Sequence, residues 1–167
     1  MEKQDLGFLD DVDDHQDEKV PRLLQIMKKH PQNAKIQGEG LRKLWYAMHL
    51  RRAHPSKDTA MSLGAGDLIL SAMRNHRADN VLQSKACICL SALSSQKSTI
   101  KRLVELGTPE QAVTALQTHP DKGGNLGWGG LEFLANCMEH GGSAVNASVS
   151  GIAGIEERLR IPLGNLR

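Results

Sequence analysis

Apolar residues recur at spacings of three and four positions along most of the chain, the pattern of helices that bury one face. The pattern is clear at Val20, Leu23, Leu24 and Met27, which fall on one side of a helix. Aromatic residues make up only 3% of the 167 residues, whereas Leu, Ala, Gly and Met are plentiful. This composition favours close helix packing over a sheet sandwich, and the sequence predicts an all-α protein with one core.

The helical pattern repeats along the chain. His30, His76 and His119 lie 46 and then 43 residues apart, within the period of roughly 40 to 47 residues typical of helical-repeat proteins. Gly64 and Gly107 each lie twelve residues before a histidine, and glycine can end a helix in a left-handed conformation without steric cost. The helices after the histidines also match at small and apolar positions, namely Gly40, Ala86 and Gly130, then Leu41, Cys87 and Leu131, then Leu44, Leu90 and Leu134.

Each predicted repeat contains three helices: one before the histidine, a long one after it, and a short one that is clearest at 98–106. In the third repeat, Thr108 is predicted as the helix N-cap, with Pro109 in the first turn and Gln111 as a capping-box partner. The predicted boundaries are an acidic, mostly disordered tail at 1–18, repeats at 19–62, 63–105 and 106–151, and a partial repeat or C-terminal cap at 152–167.

Two segments, 106–119 and 130–136, resemble armadillo repeats, similar to those in the armadillo region of leucine-rich repeat kinases and in protist armadillo proteins. The resemblance implies a right-handed α-α superhelix, a solenoid of about three repeats plus the start of a fourth. It also implies that the long helices line a concave surface for a partner protein. Asn136 falls where armadillo repeats often use asparagine to hold an extended peptide, and the corresponding residues of the first two repeats are Tyr46 and Ala92.

Charge is divided unevenly along the chain. Segment 1–18 holds eight acidic residues and one lysine, so it carries −7 and leaves +9 for the remainder of a chain whose formal charge is +2. A run of like charges with few apolar residues cannot offset its ordering entropy, so this segment is predicted to be disordered. It either keeps the chain soluble or shields the basic surface of the repeats until a partner competes for it.

Aromatic and cationic side chains cluster in the first long helix, at Arg42, Trp45, Tyr46 and His49. Residues of these types are enriched at the centres of protein interfaces, so this cluster is the best candidate partner-binding patch. The alternative is that Trp45 and Tyr46 pack as core. In the third repeat, Glu132 and Asn136 occupy the positions equivalent to Arg42 and Tyr46 and complete the candidate site.

The pattern favours no catalytic residue, metal or cofactor. Phased histidines one repeat apart are too distant to share a metal, and a serine, cysteine or threonine with an identifiable base is not evident. Cys87, Cys89 and Cys137 are predicted to be buried reduced thiols, typical of a cytoplasmic or nuclear protein. The longest apolar stretches fall short of the roughly 20 residues needed to cross a membrane.

The sequence therefore predicts a non-catalytic scaffold that binds an extended or helical segment of a partner protein. One alternative is nucleic-acid binding through the basic face, which dispersed charges and few aromatic residues disfavour. Another is a fragment of a larger signalling protein such as a kinase, since the chain stops just inside a further repeat. Self-association through the C-terminal face would also cover that end.

Overall fold

The structure is a computed structural model that describes residues 2–11, 20–49, 57–119 and 124–140. Within these residues all regular structure is helical, which confirms the prediction of an all-α protein. The helices are α1 (Glu2–Asp11), α2 (Val20–Lys29), α3 (Ala34–His49), α4 (Lys57–Ser62), α5 (Ala65–Asn75), α6 (Asn80–Ser94), α7 (Lys97–Glu105), α8 (Thr108–Thr118) and α9 (Asn125–His140). None of these described helices is both long and apolar enough to cross a bilayer.

Equivalent helices of successive predicted repeats contact one another. The long helices α3, α6 and α9 pack in that order, α2, α5 and α8 do the same, and α4 contacts α7. The most extensive contact joins α6 to α9. The core lies between these rows and contains the predicted leucine series Leu44, Leu90 and Leu134, all fully buried. Leu131, predicted at the same kind of position as Leu41, is only partly buried.

Two glycines set the turns into the second and third predicted repeats. Gly64 and Gly107 have φ of 86° and 77°, the left-handed conformation that the sequence predicts at these helix ends. The predicted role of Thr108 is wrong. Gly107 is the N-cap of α8, and Thr108 is the first residue of that helix, fully buried, with its hydroxyl donating to the carbonyl of Leu103 at 2.8 Å.

The same hydrogen bonds close the turn before α3 and the turn before α6. Gln37 Nε2 donates to the carbonyls of Met27 and His30 at 2.7 and 2.9 Å. Gln83, 46 residues later, repeats both bonds at 2.8 and 3.0 Å. These carbonyls lie at the ends of α2 and α5, where helix carbonyls lack their full set of backbone donors, and each glutamine supplies a further donor there. By sequence alignment the third repeat has Gly127 at this position.

The phased histidines connect successive turns. His76 Nε2 lies 3.0 Å from the carbonyl oxygen of Pro31, one residue after the histidine of the preceding repeat. His119 Nε2 lies 3.0 Å from the carbonyl oxygen of Arg77, which occupies the equivalent place. Both histidines are the C-caps of their helices. The interpretation of the histidines as turn residues is therefore confirmed for these two.

Residues 2–11 of the segment predicted to be disordered form the helix α1. This helix packs against α3, with Leu9 only 1% exposed, and the guanidinium of Arg22 lies 4.1 Å from the centre of the Phe8 ring. Burial of Leu9 and the contact between Arg22 and the Phe8 ring offset the conformational entropy that the segment loses when it forms a helix. Residues 12–19 lie outside the described part of the chain.

The predicted boundaries fall across the helices as follows: 19–62 contains α2, α3 and α4, 63–105 contains α5, α6 and α7, and 106–151 contains α8 and α9. The short helix predicted at 98–106 is found as α7. Residues 141–151 and the predicted partial repeat at 152–167 lie outside the described residues.

Candidate partner-binding surface

The long helices α3, α6 and α9 contact each other in order, so their outer side chains form one surface, which we call the long-helix face. We define it by the partly or fully exposed residues Lys35, Arg42, Tyr46, Lys85, Ile88, Ala92, Trp128, Glu132, Asn136 and Glu139. On each helix these residues recur at spacings of three, four or seven, which keeps them on one side.

At the α3 end, Arg42 is held by two contacts. Its Nε donates to Glu39 Oε2 at 2.8 Å, and its guanidinium carbon lies 5.7 Å from the centre of the Tyr46 ring. The Arg42 side chain is 37% exposed. Trp45 and Tyr46 are neighbours with ring centres 4.8 Å apart, and Trp45 packs against the core. The residues of the predicted patch therefore have two environments. Trp45 packs against the core, whereas Arg42 and Tyr46 are partly exposed. The side chain of His49 lies outside the described set.

Glu39 joins α3 to α6. Its second carboxylate oxygen lies 3.2 Å from Lys85 Nζ, so one carboxylate holds a cation from each helix. Burial raises the pKa of Glu39, but hydrogen bonds from Arg42 and Lys85 outweigh it and hold that pKa below its ordinary value. Glu39 stays ionised at neutral pH and fixes the position of Arg42.

Two predicted site residues in α9 face α6. Glu132 accepts a hydrogen bond from the Ser91 hydroxyl, and Asn136 Nδ2 donates to Ser94 Oγ at 3.0 Å. Both side chains are partly buried. Each predicted site residue in α9 therefore uses part of its hydrogen-bonding capacity to join α9 to the preceding long helix, a role that sequence spacing alone does not reveal.

Trp128 also lies on the long-helix face but is not among the site residues predicted from the sequence. It is 52% exposed, near the start of α9 and one turn before Glu132. The signal is present in the repeat alignment, because the equivalent positions in α3 and α6 hold Gly38 and Ser84. A large ring at a position where the other long helices carry small residues, and on the exposed side, is typical of a binding residue.

The predicted buried thiols are confirmed. Cys87, Cys89 and Cys137 are free and fully buried. Burial raises the pKa of Cys87 to about 12, and burial together with nearby Glu110 raises that of Cys137 to about 12. Burial raises the pKa of Cys89 as well, and its Sγ donates to the carbonyl of Leu41 at 3.1 Å. Thiols in this state are poor nucleophiles and poor metal ligands.

In the described part of the chain, no three His, Cys, Asp or Glu side chains come close enough to hold a metal ion. Comparison of the sequence with models of protein families and with curated proteins, and of the structure with solved structures, finds no match.

Proposed function

We propose that this protein is a non-catalytic helical-repeat scaffold that binds a segment of a partner protein along the long-helix face. We also propose that its repeats form an armadillo-type, right-handed solenoid. The observation that carries the proposal is the serial contact of α3, α6 and α9, the long helices of the three predicted repeats. A surface built in this way can bind a segment longer than any single helix could hold.

The side chains at the two ends of the face support a binding role. Trp128 at one end and Arg42 with Tyr46 at the other belong to the residue types that contribute most to protein interfaces. Ile88 and Ala92 lie between them on α6 and are partly exposed and apolar. An apolar centre with polar and aromatic flanks is the usual composition of a protein-binding surface.

The test is selection of binding peptides from a displayed random library against the purified full chain. We expect peptides whose affinity falls at least tenfold in Trp128→Ala and in Tyr46→Ala, with the helical circular dichroism signal unchanged. Gln117→Ala is the matched control, because Gln117 is exposed on α8, which is not one of the three long helices. Peptides that bind all three variants as tightly as the unaltered chain would contradict the proposal.

A further inference from the structure

The long helices differ in charge in a fixed order along the row. α3 carries three basic residues and one acidic residue. α6 carries one lysine and no acidic residue. α9 carries two glutamates and neither lysine nor arginine. Formal charge therefore falls from +2 through +1 to −2 across three helices that contact one another in sequence.

Part of the charge at each end is presented on the long-helix face, whereas Lys43 of α3 is buried. Lys35 is exposed and the Arg42 side chain is 37% exposed at the α3 end. The Glu139 side chain is 71% exposed at the α9 end, and Glu132 lies two turns before it on the same side. Glu39 pairs with both Arg42 and Lys85, so Lys35 adds the further positive charge at the α3 end. In the middle, the apolar Ile88 and Ala92 are the partly exposed side chains of α6 beside Lys85.

Distance makes the two ends act separately. Packed helices lie about 8–10 Å apart, so α3 and α9 are separated by roughly 16–20 Å. This exceeds the Debye length of about 8 Å at physiological salt, so each end attracts its own opposite charge with little interference from the other. An extended chain covers that distance in about six residues at roughly 3.3 Å per residue.

We infer that the partner is an extended segment with an acidic side chain over α3 and a basic side chain over α9, about six residues apart, and an apolar side chain between them over α6. The inference rests on the proposed function and adds the chemistry of the segment. Charge complementarity of this kind fixes how a segment lies on a surface and excludes segments of uniform charge.

The test uses three synthetic peptides with a central Leu and two end residues about six positions apart: Asp with Arg, Asp with Asp, and Arg with Arg. Fluorescence anisotropy is measured at low and at physiological salt. We expect the Asp–Arg peptide to bind about fivefold more tightly than either like-charged peptide, and the difference to shrink as salt rises.

Reversing the charge of one side chain at the α9 end should change which peptide the protein prefers. Glu139→Lys should move the preference to the Asp–Asp peptide, and it should not disturb folding because the side chain is largely exposed. Glu105→Lys on α7 is the control, since it makes the same charge change on an exposed side chain of another helix. Equal shifts in the two variants would overturn the inference, because overall charge rather than its order would then govern binding.

Failure of the inference is distinguishable from failure of the proposed function. If the three peptides bind equally well and Trp128→Ala abolishes binding of all three, the binding surface stands and the charge order is overturned. If none of the three binds while library-selected peptides do bind through Trp128, the same conclusion follows. If library peptides also bind independently of Trp128 and Tyr46, the proposed surface itself is wrong.

Discussion

His30 Nε2 lies 2.8 Å from Asp5 Oδ2, at the place in the first repeat where His76 and His119 instead meet a backbone carbonyl of the preceding repeat. Lys29 Nζ lies 2.8 Å from the same oxygen. The Asp5 carboxylate of α1 thus contacts His30 in the way that the carbonyls of Pro31 and Arg77 contact His76 and His119. The contacts of Asp5 with Lys29 and His30 hold α1 against the end of α2 in the first predicted repeat.

The Asp5 contacts predict that docking of α1 depends on pH. Hydrogen bonds from Lys29 and His30 hold the pKa of Asp5 below its ordinary value. The contacts therefore stabilise the docked helix above the unfolded pKa of about 3.9, and this contribution is lost as pH falls through the lower folded pKa.

We expect Asp5→Asn to loosen α1 at neutral pH while leaving the other helices intact. Nuclear magnetic resonance relaxation of the amides in 2–11 measures the change. Asp67→Asn, the same substitution at an exposed position of α5, should leave these amides unchanged. An α1 that is equally ordered in both variants would show that Asp5 contributes nothing to docking.

Gln83→Ala is expected to destabilise the fold by about 1–3 kcal/mol, because it removes the side-chain donor to the carbonyls of Met73 and His76, the first of them in a buried site. Urea denaturation measures the loss. Gln117→Ala is the control, since an exposed glutamine on α8 should change the free energy of unfolding by less than about 0.5 kcal/mol. Similar losses in the two variants would contradict the role assigned to Gln83.

The features that the sequence could predict are those set by local chemistry. Gly64 and Gly107 are foreseeable because a left-handed residue at a helix end favours glycine. The order of α1 is not foreseeable from composition, since it depends on Asp5 meeting side chains 24 and 25 residues away. The contact of Asn136 with Ser94 likewise joins residues 42 positions apart, and spacing places Asn136 on a helix face without identifying its neighbour.

Gly129→Ala is expected to cost about 1–3 kcal/mol even though alanine favours a helix. An added Cβ would lie 2.9 Å from the backbone nitrogen of Ile88 and 3.1 Å from the carbonyl carbon of Cys87, and backbone atoms cannot move aside as a side chain can. Gly38→Ala is the matched control in α3. There the new Cβ meets only Lys85 Nζ at 3.5 Å, and helix propensity should stabilise the fold by about 0.5–1 kcal/mol. Thermal unfolding of both variants measures the change in stability. A Gly129→Ala variant that is more stable than the unaltered chain would contradict the close contact between the backbones of α9 and α6.

The three thiols are expected to resist alkylation in the folded protein. With the pKa of Cys87 and of Cys137 at about 12, compared with about 8.5 for a free cysteine, the reactive thiolate is roughly a few thousandfold rarer. Mass spectrometry after iodoacetamide treatment at pH 8 should find modification only in urea. Rapid modification of any one thiol under native conditions would mean that its helix opens locally.

The glycine at position 129 has a mechanical consequence. At the α6–α9 contact the two backbones meet directly, whereas at the α3–α6 contact the residue aligned with Gly129 is Lys85, which reaches Glu39 through a long side chain. Direct backbone contact leaves little room to rotate, while a flexible ion pair can stretch and re-form. We therefore expect the α6–α9 contact to be rigid and the α3–α6 contact to be flexible. A bound segment that brings the two ends of the long-helix face closer together would therefore move α3, together with α1, toward α6 and α9, which would keep their relative positions.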